Sequence, residues 1–206
     1  MRTKPYRTSI VVFDEVELLD VTGPMSLLSA AGRQWNFQPF KLELVAESSG
    51  EVSTRSSVAL AATGAFSAPH EVECLIIPGG YGARVAAQSH AVVDYVRLAA
   101  EHAEHVAIVG NGALIAARAG LLEGAEIAVT PELKPELTTT AGTRFNVESG
   151  ICTSGKILSA ARSALGLDLA CELVARTFGK KLASSLSSQF GVAWAGELEL
   201  VEIVGL

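Results

Sequence analysis

Val106-Ala107-Ile108-Val109-Gly110-Asn111-Gly112-Ala113-Leu114-Ile115-Ala116-Ala117 runs from a β-branched apolar segment through three turn-forming residues into an alanine-rich apolar segment. A short all-apolar run suits a strand covered on both faces, and the stretch after the glycines suits a helix. The spacing therefore predicts a strand-turn-helix elbow, whose tip residue is exposed and strained beside a helix N-terminus.

The same grammar extends in both directions. Ser9–Phe13, Lys41–Ala46, Cys74–Ile77, Val106–Val109, Glu126–Thr130 and Lys156–Leu158 read as strands. Met25–Ala31, Ala91–His105, Gly112–Ala119 and Gly166–Thr177 read as helices, with Thr22-Gly23-Pro24 as a start signal and Gly179 as a stop. Strand and helix alternating in this way predict an α/β fold: a doubly wound, mainly parallel sheet flanked by helices. The biased run Leu182–Ser188 fits either a helix end or a loop. No repeat or linker interrupts the 206 residues, so one domain over 1–206 is expected.

Composition narrows the functional classes. A net charge of −6 with scattered Lys and Arg argues against direct nucleic-acid binding. The basic first residues lead straight into a strand, so neither a signal peptide nor a membrane span is expected, and the expected location is the cytoplasm. Cys74, Cys152 and Cys171 have no CxxC spacing, so reduced thiols are expected, two in apolar segments and Cys152 in a loop. His102 and His105, beside Glu101 and Glu104, lack a third ligand; no metal and no cofactor are expected.

In an open parallel sheet, ligands collect beyond the carboxyl ends of the strands. Three turns there carry chemistry. Pro78-Gly79-Gly80-Tyr81-Gly82 can present backbone N–H groups to an anion or carbonyl oxygen, or can simply be a tight turn. At the elbow, Gly110 and Asn111 supply no nucleophile; Asn111 can donate hydrogen bonds, and a bare turn asparagine is the stronger reading. After the first strand, Asp20 sits between Leu18-Leu19 and Val21, where burial would raise its pKa and suit it to acid/base work; a helix-capping Asp reads equally well. Glu15 and Glu17 read as solvated.

Together, Leu18-Leu19-Asp20-Val21-Thr22-Gly23-Pro24, Leu75-Ile76-Ile77-Pro78-Gly79-Gly80-Tyr81-Gly82 and the elbow through Ala119-Gly120-Leu121-Leu122 resemble the ThiJ/PfpI (DJ-1) superfamily. The match runs from about residue 9 to 179. Its nearest branch resembles the isocyanide hydratases and the amidotransferase-like sensor domains of AraC-type regulators, and Leu165–Ala170 resembles their AGIDLAL helix start. The resemblance implies a flavodoxin-like fold of the class I glutamine amidotransferase type, and a homodimer. Asp20 matches the acid beside the family's reactive cysteine, and Gly79-Gly80 match the turn whose amides line that site.

The elbow departs from the family. Gly110 stands where the resemblance places cysteine, Asn111 where it places threonine, and Pro131 where it often places histidine. Arg162 replaces a glycine of many relatives; inward, it would charge a pocket containing Asp20, and an outward surface arginine is the other reading.

Three functions follow as expectations. The first is a binding module, a sensor or other non-classical member that holds a small polar or anionic ligand on Gly79, Gly80, Tyr81, Gly110, Asn111 and Arg162. With no helix-turn-helix read within 206 residues, a regulatory role would need a partner. The second is a cysteine-free hydratase, isomerase or lyase on a small carbonyl compound, with Asp20 as general acid/base and elbow amides as oxyanion stabilisers. The third is an interaction or chaperone-like protein acting through a dimer surface; the apolar tail Leu198–Leu206 fits such an interface and fits an ordinary core strand equally well.

Overall fold

The computed structural model describes residues 4–32, 39–66, 72–137, 142–147, 150–194 and 196. In chain order the elements are β1 (Tyr6–Val11), α1 (Leu18–Ala31), β2 (Phe40–Ala46), β3 (Gly50–Ser53), β4 (Ala59–Ala62) and β5 (Gly64–Ala65). Next come β6 (Cys74–Ile77), α2 (Ala83–Ala86), α3 (His90–His102), β7 (His105–Val109), α4 (Ala113–Arg118) and β8 (Glu126–Ala128). The remainder are α5 (Lys134–Leu137), β9 (Arg144–Asn146), β10 (Ile151–Ser154), β11 (Ile157–Ala160), α6 (Gly166–Phe178) and α7 (Lys180–Phe190).

Among the described residues a seven-stranded sheet runs β10-β11-β7-β6-β1-β2-β5. Every pairing in it is parallel except β10 with β11. This is the doubly wound, mainly parallel sheet that the alternating pattern predicts. β6 is buried at every position because helices cover both faces: α3 and α4 pack on it from one layer, while α1, α6 and α7 pack together in the other. Burying side chains such as Ile76 and Ile108 contributes about 1.5–3 kcal/mol each. In α3, Ser89 caps the first turn by accepting from the Val92 amide, and Val92, Val96 and Ala99 face the core at helical spacing.

Several boundaries differ from expectation. Helix α1 begins at Leu18, not after Thr22, and Pro24 lies inside it. The Thr22 hydroxyl bonds back to the Leu18 carbonyl at 2.8 Å, so it does not cap a later helix. Pro24 withholds an amide from the Asp20 carbonyl, and its ring packs against Gly166 on α6. Helix α3 stops at His102, where Ala103 turns extended, so His105 opens β7 and does not share a helix face with His102. The segment read as Glu126–Thr130 is a three-residue strand paired with β9, outside the main sheet. Cys152 sits in the edge strand β10, its thiol directed to the Glu126 carbonyl, not in a loop. Leu182–Ser188 is helical, with Leu182, Ala183 and Leu186 buried. The tail Leu198–Leu206 lies outside the described residues. No helix among the described residues is long and apolar enough to cross a membrane.

Candidate functional site

At the carboxyl ends of β1, β6, β7 and β11 lies a cleft of about 650 Å³. Asp20, Gly80, Tyr81, Gly110, Asn111 and Arg162 all line it, so the fold gathers residues that the chain places on four separate segments. Gly79, whose amide bonds to Asp20, does not itself line the cleft.

Helix α1 begins in the turn after β1 and carries Asp20 into the interior, where its exposure is 1%. Oδ2 accepts from the Gly79 amide at 2.8 Å. Oδ1 is buried and has no hydrogen-bond partner among the described residues. Desolvation raises the Asp20 pKa above the ordinary carboxylate value, and Glu17 adds to the rise. The Ser163 side chain and the Gly79 amide oppose it.

The glycine turn after β6 is locked to its neighbours. The Glu17 amide donates to the Gly79 carbonyl at 2.9 Å, and the Gly82 amide donates to the Glu15 carbonyl at 3.1 Å. The Asn111 side chain accepts from the Gly80 amide and donates to the Gly80 carbonyl, both at 2.8 Å. Gly80 has φ +135°, and a Cβ there would run into the Glu17 amide nitrogen. A Cβ at Gly79 would strike the Asn111 side-chain oxygen and stand 2.9 Å from Asp20 Oδ2. These glycines exist so that two side chains can reach the backbone.

That arrangement corrects one sequence expectation. The Gly79 and Gly80 amides do not face a ligand, because Asp20 and Asn111 already occupy them. Asn111 is likewise committed to Gly80 through both ends of its amide. In this arrangement they hold the turn, and the Asn111 amide nitrogen keeps a second N–H.

Gly110 sits at the elbow tip with φ +55°, the left-handed conformation of a strained strand-to-helix turn. A Cβ there would meet only Asp20 Oδ2, at 3.6 Å. The backbone of a nucleophile elbow is present with room for a side chain beside the buried carboxyl.

Arg162 follows β11 in extended conformation, is exposed, and contributes to the lining of the cleft. Glu132, whose carboxyl is held below the usual carboxylate range by hydrogen bonds from its own backbone amide and the Thr130 side chain, also feels the Arg162 charge. Tyr81, 67% exposed, carries the Arg55 guanidinium over its ring at 4.7 Å, and Arg55 bonds to Glu15 at 3.1 Å. Glu15 is therefore an ion-pairing residue, held at φ +60°, and Glu17 lines the cleft at the N-cap of α1. Sequence reasoning missed Arg55 and Ser163. Arg55 belongs to the connection between β3 and β4, where no motif marked it; Ser163 was visible only as the neighbour of Arg162.

None of the three thiols stands in the cleft. Burial raises the pKa of Cys74 and Cys152, and pushes Cys171 up to about 12. All three are protonated thiols at neutral pH.

A mainly parallel sheet with this elbow at its carboxyl end defines a flavodoxin-like α/β protein of the amidotransferase type. The chain belongs to the DJ-1/PfpI family, whose profile matches residues 6–176. It is 25% identical over 183 residues to an isonitrile hydratase of Pseudomonas putida, covering 89% of this chain and 77% of that protein. Its fold superposes on a ThiJ/PfpI family protein from Pseudomonas syringae with a TM-score of 0.82 at 21% identity, over 91% of this chain and 75% of that one. It also superposes on an AraC family transcriptional regulator from Pseudomonas putida with a TM-score of 0.76 at 22% identity, over 90% of this chain and 100% of that one. These similarities fall in the branch to which the motifs pointed.

Proposed function

We propose that this chain is a DJ-1/PfpI family member without the family's elbow nucleophile, and that its cleft binds a small polar or anionic ligand in a sensing or other non-classical role. The supporting observation is the presence, in one cleft, of an arginine that forms no ion pair among the described residues and of a buried carboxyl whose second oxygen has no hydrogen-bond partner among them. The contacts proposed for the ligand are Arg162, the exposed side of Tyr81 and Asp20. Cysteine-dependent hydrolysis, glyoxalase-type chemistry and thiol-based hydration have no thiolate to start from, since Gly110 offers none and the three thiols lie elsewhere.

A thermal-shift screen of small carboxylates, phosphates and sulfonates tests this reading. A true ligand at a hundred times its Kd stabilises by about 2.7 kcal/mol, raising Tm by several degrees. Arg162→Met should abolish that rise. A panel that stabilises neither protein, or both equally, contradicts the reading.

The state of Asp20 supports a second reading. A buried carboxyl with a raised pKa and one unpaired oxygen is equipped as a general acid/base for hydration, isomerisation or lyase chemistry on a small carbonyl compound. The oxyanion stabilisers in that case come from the elbow amides, because those of the glycine turn are occupied. Exchange of an α-proton into deuterated solvent by wild type, absent in Asp20→Asn, would favour the enzyme over the binding module.

A further inference from the structure

Arg55 is a cleft cation whose place is fixed by its neighbours. It lies in the connection between β3 and β4, where its amide donates to the Val16 carbonyl at 3.0 Å. Its guanidinium stands over the Tyr81 ring, 4.7 Å from the centroid, and Nη1 donates to Glu15 Oε2 at 3.1 Å. Arg55 and Tyr81 both line the cleft. The ring quadrupole attracts the cation, and a side chain already held in one place loses less freedom when a ligand binds.

Glu15 belongs to the same unit. Its backbone is left-handed, at φ +60°, a conformation that is costly for a residue with a Cβ. Two bonds keep it there: its amide donates to the Ser53 carbonyl at 2.8 Å, and its carbonyl accepts from the Gly82 amide at 3.1 Å. Strain of this kind persists where surrounding structure over-determines it, and it gathers at ligand clamps.

The contact with Glu15 leaves most of the guanidinium open. Side-chain exposures of 56% for Arg55 and 44% for Glu15 make this a surface pair, which contributes little by itself. Among the described residues the guanidinium makes no other hydrogen bond. Nε and Nη2 therefore remain, and their parallel N–H bonds match the two oxygens of a carboxylate. Arg84 grips Glu136 along that edge in this same chain, Nε to Oε2 at 2.8 Å and Nη2 to Oε1 at 2.6 Å.

We infer that Arg55, held over Tyr81, anchors the ligand through its Nε–Nη2 edge, and that the group it takes is a carboxylate. This rests on the ligand-binding reading above and names both the anchor and the head group.

The test is an NMR titration of the full chain with propionate, ethanesulfonate and propionamide, following backbone amides and the Arg55 Nε–H resonance. Wild type should bind propionate about fivefold or more tighter than ethanesulfonate, whose tetrahedral head sets an oxygen out of the guanidinium plane, and should not bind the amide. Tyr81 and Arg55 Nε–H should shift with one Kd. Arg55→Lys keeps the charge without the fork and should weaken propionate about tenfold or more, with an unchanged urea melt because the side chain is exposed. If that variant does not fold, the wild-type ratio and the Nε–H shift decide. Ethanesulfonate or propionamide binding as tightly as propionate overturns the carboxylate. Saturation without a shift at Arg55 Nε–H, or unchanged affinity in Arg55→Lys, overturns the anchor; each of these leaves the ligand-binding reading standing. No saturable shift at any cleft amide with any probe overturns both.

Discussion

Asp20 is a carboxyl whose burial the folded protein must tolerate. With its folded pKa raised above the unfolded value of about 3.8, the native state holds the proton over a pH window in which the unfolded chain has lost it. Its contribution to stability therefore falls as pH rises from about 4 through the folded pKa, and levels off above it. Asn at this position keeps an acceptor for the Gly79 amide without the charge. Asp20→Asn should thus be more stable than wild type at pH 7, with the gap closing near pH 4; paired urea melts across that range check the sign. Gly110 makes a complementary prediction. A non-glycine residue at φ +55° costs about 1–2 kcal/mol, and nothing else there resists a side chain. Gly110→Cys should fold with that modest loss, and its thiol should react with iodoacetamide at least tenfold faster than Cys74, Cys152 or Cys171 in the native protein. Mass spectrometry of labelled peptides gives the rates. At this scale the sequence was legible where apolar neighbours or glycines surrounded a polar residue, as at Asp20 and Asn111. Arg55 carried no such frame, because its place over Tyr81 depends on a β3–β4 connection distant in sequence from the glycine turn.

The elbow and the glycine turn act as one locked unit through Asn111, which satisfies both backbone groups of Gly80. Asn111→Asp would keep the bond from the Gly80 amide but set a second oxygen against the Gly80 carbonyl. That substitution should cost about 1–3 kcal/mol by urea denaturation, and it should weaken ligand binding through the displaced turn. An unchanged melt would show that the pair of bonds contributes nothing. Elements read from continuous apolar runs, such as β6 and β7, came out nearly residue for residue. The start of α1 did not, because Thr22-Gly23-Pro24 has the composition of a helix start, while packing of Pro24 against α6 carries the helix straight through it. Tertiary contact overrode a local signal there. The short strands β3, β4, β9 and β10 were illegible for a different reason: their patterns are too brief for a period of two to show.

At the scale of the molecule, the alternating order of strands and helices carried the fold, since a parallel sheet covered on both faces requires all-apolar strands joined by helical crossovers. The same topology carried the place of the site, because turns after neighbouring parallel strands must open at one end of the sheet. What no local pattern could show was how the groups are shared out: Asp20 and Asn111 bond to the glycine turn, while among the described residues Arg162 forms no ion pair and the second, buried carboxyl oxygen has no hydrogen-bond partner. Backbone amide chemical-shift mapping of the wild-type protein against a panel of small anions tests that division directly. The account predicts saturable shifts concentrated at Gly80, Tyr81, Gly110 and Ser163, absent in Arg162→Met; shifts that are scattered over the surface, or that persist in Arg162→Met, would contradict it.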